Sequence, residues 1–202
     1  MRVVAVIHVE TSRSASRKLF AVIFLATILS SCSFPGIALF GNDTGTALGV
    51  GEEVSLKFFT NDANFDSGVG LQSGARYALE VKTLSYWIDS SIEDNEDGEP
   101  LDERGFSDAR MARQLAKGFI PLGLARLTKR SKQHHWFELM LMQYNCSRDS
   151  LQGVSDLGVD EESGVYTFVA ACDGKLTLFV NDSHGFYGNN VGFANLSLSR
   201  VN

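Results

Sequence analysis

From Val54 onward, apolar residues recur at every second position in short runs broken by turns, and that pattern limits the fold more than any other feature. Val54, Leu56 and Phe58 alternate with Ser55 and Lys57; Tyr77, Leu79 and Val81 repeat the pattern, as do Tyr166, Phe168 and Ala170. Leu176, Leu178 and Val180 alternate with Lys175, Thr177 and Phe179, and Leu196 and Leu198 sit between Asn195, Ser197 and Ser199. A period of two places each set on one face of a strand. Trp136 to Tyr144 is almost continuously apolar, the mark of a central strand. Turn-forming residues separate the runs: Thr60-Asn61-Asp62-Ala63-Asn64, Gln72-Ser73-Gly74 and Cys172-Asp173-Gly174. Many short strands between turns predict an all-β, antiparallel β-sandwich rather than βαβ units. One interruption is helical. Ser107 can cap a helix that runs to Lys117, Asp108 suits its positive end and Gly118 can stop it. Phe119 to Leu127 is apolar and contains Pro121.

The front of the chain has another character. Arg13, Arg17 and Lys18 precede the apolar run Leu19 to Leu29, which is too short for a stable bilayer span. A basic start, a short apolar stretch and small residues at its end predict a secretory signal. Leu29-Ser30-Ser31-Cys32 resembles the lipobox of bacterial lipoproteins, in which the cysteine carries the lipid and becomes the new N-terminus. The resemblance implies lipidation at Cys32 and a membrane partner through that lipid. Ser33 after the cysteine resembles an outer-membrane address within the cell envelope. The expected organisation is a lipoprotein signal peptide over 1–31, a lipidated tether over 32–50, rich in Gly, Asn and Thr, and a β-sandwich domain over 51–202.

Charge narrows the partners. The whole chain carries a formal −6, and losing four basic residues with Glu10 in residues 1–31 leaves −9. Nucleic acid and anionic lipid surfaces both select a basic face, so neither is an expected partner. Of three cysteines, Cys32 is assigned to lipid. An even remainder in an exported chain, Cys146 and Cys172, reads as one disulfide.

The tail concentrates oxygen ligands. Between the strand ending at Val180 and the final strand lie Asn181, Asp182, Asn189 and Asn190, with Gly185 and Gly188 to bend the backbone. A carboxylate, side-chain amides and freed carbonyls form the oxygen set that a hard cation such as calcium takes. The run Asn181-Asp182-x-x-x-Phe186-Tyr187-Gly188-Asn189-Asn190, followed by glycine and an alternating strand, resembles the end of small bacterial calcium-dependent galactose-binding lectins. It also resembles the wider group of galactose-binding-domain-like sandwiches, which implies a jelly-roll. The resemblance covers about 25 residues closely. Weaker likeness extends to Trp87-Ile88-Asp89 and to Trp136-Phe137-Glu138-Leu139. It implies calcium held by Asp182, the Phe186 carbonyl, Asn189 and Asn190, with a carbonyl near Trp87, at Ser90. It also implies a galactoside-like sugar or envelope glycan contacting Asp182, Ser183, Phe186 and Asn189. Phe186 stands where the lectins have Thr.

Competing chemistry finds less support. Glu93-x-Asn95-x-Asp97-Gly98 has an EF-hand-like start, but Arg104 falls at the position that needs Glu. His134, His135 and His184 are possible metal ligands, yet adjacent residues on an extended segment point opposite ways. There is no Gly-x-Ser-x-Gly, phosphate loop or CxxC pair, and no carboxylate pair stands out for glycoside hydrolysis. The expected protein is therefore not an enzyme. It is a calcium-dependent carbohydrate-binding module of an envelope lipoprotein, or alternatively a non-catalytic structural or interaction lipoprotein with the same sandwich and no sugar.

Overall fold

The period-two runs form strands in the computed structural model, which describes residues 44–118 and 120–202. The expected signal peptide, Cys32 and most of the tether lie outside the described residues. Among the described residues, ten strands make two five-stranded sheets. The first has the order β1 (Thr46–Ala47), β3 (Phe65–Leu71), β9 (Gly174–Val180), β5 (Leu139–Gln143), β6 (Gln152–Gly153). The second has β2 (Glu53–Phe59), β10 (Asn190–Arg200), β4 (Arg76–Asp89), β8 (Tyr166–Val169), β7 (Gly158–Val159). Every pairing is antiparallel except β1 with β3. The protein is an all-β sandwich with a small helical insertion. Because β1 pairs with β3 and Leu48 is buried, the ordered sheet takes in residues ahead of Gly51.

The inward sets follow the alternation, although in β9 the intervening Thr177 and Phe179, and in β10 Ser197, are buried as well. Leu56 and Phe58, Tyr77 and Leu79, Leu176 and Leu178, and Leu196 and Leu198 are all buried in one core. At one end the core is aromatic. Phe58 meets Phe65 edge-on, with ring centroids 5.7 Å apart, and Trp87 meets Phe137 at 5.7 Å. The Trp87 indole also donates to the Phe137 carbonyl at 3.0 Å, which fixes the ring and satisfies its N–H.

A bulge sets the register at that same end. Gly192 has φ 132°, and a Cβ there would fall 1.6 Å from the Tyr86 carbonyl oxygen. Only glycine lets β10 approach β4 so closely, opposite Tyr86, which itself sits at φ 52°. Beyond the bulge, Asn190 lands opposite Asp89.

The insertion holds two helices, α1 (Asp108–Ala116) and α2 (Leu122–Thr128). Ser107 Oγ caps α1 by accepting from the Arg110 N–H. The acidic loop before it is tied to the helix: Asp94 pairs with Arg110, and Glu96 accepts from the Ser107 N–H. The Asn95 side chain accepts from the Asp97 and Glu99 N–H groups, so its oxygen closes a turn. The EF-hand-like start thus serves to pack α1.

Cys146 and Cys172 are joined, with Cα atoms 6.1 Å apart. The strand just before Cys172 is β8, which belongs to the other sheet. The bond works because β5 ends beside the start of β9, where Gln143 faces Leu176. Gln143 reinforces the corner, its side-chain oxygen accepting from the Ala171 N–H at 2.7 Å. Reducing this disulfide, which spans 26 residues, should cost about 3 kcal/mol. A urea midpoint unchanged by reductant would contradict that.

Candidate functional site

The bulged end of the sandwich gathers residues from three strand ends. Asp89 closes β4, Asn190 opens β10, and Asp182 lies two residues past β9. All three are buried, at 6%, 5% and 3% exposure. Trp87 and Asp89 share the inward parity of β4, so the strand that buries the indole also buries the carboxylate.

The loop after β9 is held from both sides. The Asn181 amide is fully buried and tied to the 131–135 segment: its oxygen accepts from the Ser131 N–H at 2.8 Å, and its nitrogen donates to the Ser131 and His135 carbonyls. Asn181 is therefore a structural clamp. Asp182 Oδ1 accepts from the Ser183 N–H at 2.6 Å. The Asn190 amide nitrogen donates to Asp182 Oδ2 and to the Thr60 carbonyl, both at 3.2 Å. Tyr187 donates to the Val180 carbonyl from beneath.

The polar groups that remain are unbalanced. Among the described residues, Asn190 Oδ1 is buried with no hydrogen-bond partner. Such an atom costs about 1–3 kcal/mol when left unpaired. Its orientation also follows from the network, because the nitrogen of the amide is occupied by two acceptors. Neither Asp89 nor Asp182 forms an ion pair among the described residues. Burial, and behind it the Asp182 charge, pushes the Asp89 carboxyl up to about 7. Burial also raises Asp182, opposed by its bonds from Ser183 and Asn190. Two desolvated carboxylates and an open amide oxygen form a site that lacks positive charge.

The site opens into a pocket of about 370 Å³. Asp182, Phe186, Asn189 and Ser90 all line it, beside Asp89. Four of the residues expected from the sequence therefore converge. Asn190 lies buried alongside, bonded to Asp182. The Phe186 carbonyl accepts one bond, from the Asn189 N–H at 3.0 Å, and a carbonyl has a second lone pair. Ser90 is exposed at the rim with φ 58°. Ser183 is placed differently: it is buried, and its hydroxyl meets Thr128 at the end of α2, 2.7 Å away. Asp89 lines the pocket although no sequence motif singled it out, and its parity with Trp87 was the available signal.

No family model matches the chain, and no curated protein matches it. A solved structure described as the N-terminal domain of EclA, a PllA-like lectin, aligns over 72% of this chain and 94% of its own length. The identity is 17% and the TM-score 0.41.

Other polar clusters are absorbed by structure. Among the described residues, no three His, Cys, Asp or Glu side chains gather as a metal centre. The three candidate histidines stay apart in role: His134 bonds Ser131 and Asp156, while His135 and His184 are exposed. Ser131, His134 and Asp156 form a chain with contacts of 2.5 and 2.6 Å. The serine in it is buried and bonds Nδ1, and the pocket described above lies elsewhere, so the chain serves to fold the loop. Glu138 does similar work, fully buried and accepting from the His135 and Ser155 N–H groups.

Proposed function

We propose that this protein is a calcium-dependent carbohydrate-binding module, carried on the cell envelope by a lipid at Cys32. The observation that carries the ion is the orphaned Asn190 oxygen beside two buried carboxylates that have no ion-pair partner among the described residues. The donors fit a hard cation, being carboxylate, amide and carbonyl oxygens with no sulfur or imidazole among them. Asp89, Asp182, Asn189, Asn190 and the carbonyls of Phe186 and Ser90 would hold it. Bound calcium would supply charge to the floor and open coordination positions to the vicinal hydroxyls of a sugar. Asp182 and Asn189, which line the pocket, would accept from those hydroxyls, and the Phe186 ring stands at the mouth, 59% exposed. Ser183, being buried, would act by holding the loop to α2 rather than by touching sugar.

The ion is tested by melting. A ligand that binds only the folded state stabilises by RT ln(1 + [L]/Kd), about 2.7 kcal/mol at a hundredfold excess over Kd. Millimolar calcium should raise the melting temperature and EDTA should lower it. Asp182→Ala should abolish the response, while Glu93→Ala and Asp97→Ala, on the loop that packs α1, should retain it. A wild-type melting curve indifferent to calcium defeats the reading. Calcium binding with no further shift from any glycan would favour an interaction lipoprotein with an ion-stiffened loop.

A further inference from the structure

The pocket over the two carboxylates has two kinds of wall. One end is polar, formed by Asp89, Asp182 and Asn189. The other is apolar and comes from the helical insertion: Met111 and Leu115 of α1, Ile120 of the link, and Leu124 of α2. The walls are pinned. Arg110 of α1 pairs with Asp94, Gln114 bonds Ser91, and Thr128 at the end of α2 bonds Ser183. Met111 is buried and Leu115 partly so, yet the outer part of this wall is left wet. Helix α2 carries three leucines and buries no residue, and Ile120 and Leu124 are 49% and 59% exposed. Single exposed apolar residues are ordinary, but a set that rims a concavity beside unpaired polar groups is the usual composition of a ligand pocket.

The two ends together select the occupant. A purely apolar ligand would leave the buried Asp89 carboxylate, which has no hydrogen-bond partner among the described residues, further desolvated. A free sugar would satisfy the polar end and leave Leu115, Ile120 and Leu124 facing water. We propose that the two-helix insertion is an aglycone subsite, so that the protein takes glycosides whose sugar meets the polar floor and whose apolar aglycone, an aromatic ring or short alkyl chain, lies between α1 and α2. This inference rests on the carbohydrate reading of the floor.

The test compares methyl and phenyl glycosides of galactose, glucose and mannose by calorimetry on the intact protein, in millimolar calcium and in EDTA. For a sugar that binds, the phenyl glycoside should bind about tenfold tighter than the methyl one, from burial of the ring. Leu124→Ser, at an exposed position that the fold does not need, should shrink that ratio toward one. Equal affinities for methyl and phenyl glycosides overturn the aglycone subsite and leave the carbohydrate reading standing. Phenyl glycosides that bind equally well in EDTA also overturn it, because the ring would then be seated without the ion-bearing end. Calcium binding with no glycoside of either kind bound overturns both, through the failure of the sugar reading.

Discussion

In calcium-free buffer at pH 8, Asp89→Asn should make the protein more stable, by up to about 4 kcal/mol. The gain follows from linkage. The folded Asp89 carboxyl titrates at about 7, raised by burial and by the Asp182 charge, against an ordinary 3.8. Between those values the folded protein keeps a proton that the unfolded chain has lost. Unfolding stability therefore falls as pH rises from about 4 to about 7, and this contribution is flat above that. Asp182 adds a slope of the same sign, which the variant keeps. Asparagine removes the charge that has to be desolvated at pH 8 and so removes the Asp89 part of the slope. Calcium bound at the proposed site would change the comparison. It favours the ionised carboxylate, so the wild type should gain more from calcium than the variant does, and the order of stability should close or reverse at saturating ion. Denaturation midpoints from pH 5 to 8, in EDTA and in calcium, give all four curves. Parallel curves for wild type and variant in EDTA would show that Asp89 is not a buried, unpaired acid.

The strands were legible because their signal is local. Leu56 and Phe58, or Leu176 and Leu178, announce a buried face by parity alone, and the structure buries them. Helix α1 announced itself through the Ser107 cap. Helix α2 did not: it is seven residues long, has no side-chain cap and buries none of its residues, so neither ends nor periodicity mark it. The Asp182-to-Asn190 loop was legible as a set of oxygens, but not in its division of labour. Asp89 reaches the loop through the pairing of β4 with β10 and the Gly192 bulge, a contact across about 100 residues that no local pattern encodes. In the sequence it stands only as the last residue of Trp87-Ile88-Asp89, with no role attached. Ser183 looked available and is covered, because the insertion that buries it lies some 55 residues earlier in the chain.

That division of labour is open to measurement at Asn181, where the second large effect is expected. Asn181→Ala should cost about 3–5 kcal/mol. The side chain is fully buried and ties the loop after β9 to the 131–135 segment through the Ser131 N–H and the Ser131 and His135 carbonyls. Alanine leaves the Ser131 N–H and carbonyl, both in buried bonds, and the part-buried His135 carbonyl without that partner. For a domain of this size the loss corresponds to a fall in melting temperature of about 10 °C. The increment produced by calcium should survive, because the Asn181 oxygen is spent on Ser131 and is not a ligand. Asn189→Ala should do the opposite, sparing stability in EDTA, since the residue is exposed, while shrinking the calcium increment. The two variants together separate the Asx residues that hold the loop from those that would hold the ion. An Asn181→Ala protein of ordinary stability that no longer responds to calcium would reverse the assignment and place Asn181 in the ion's coordination shell.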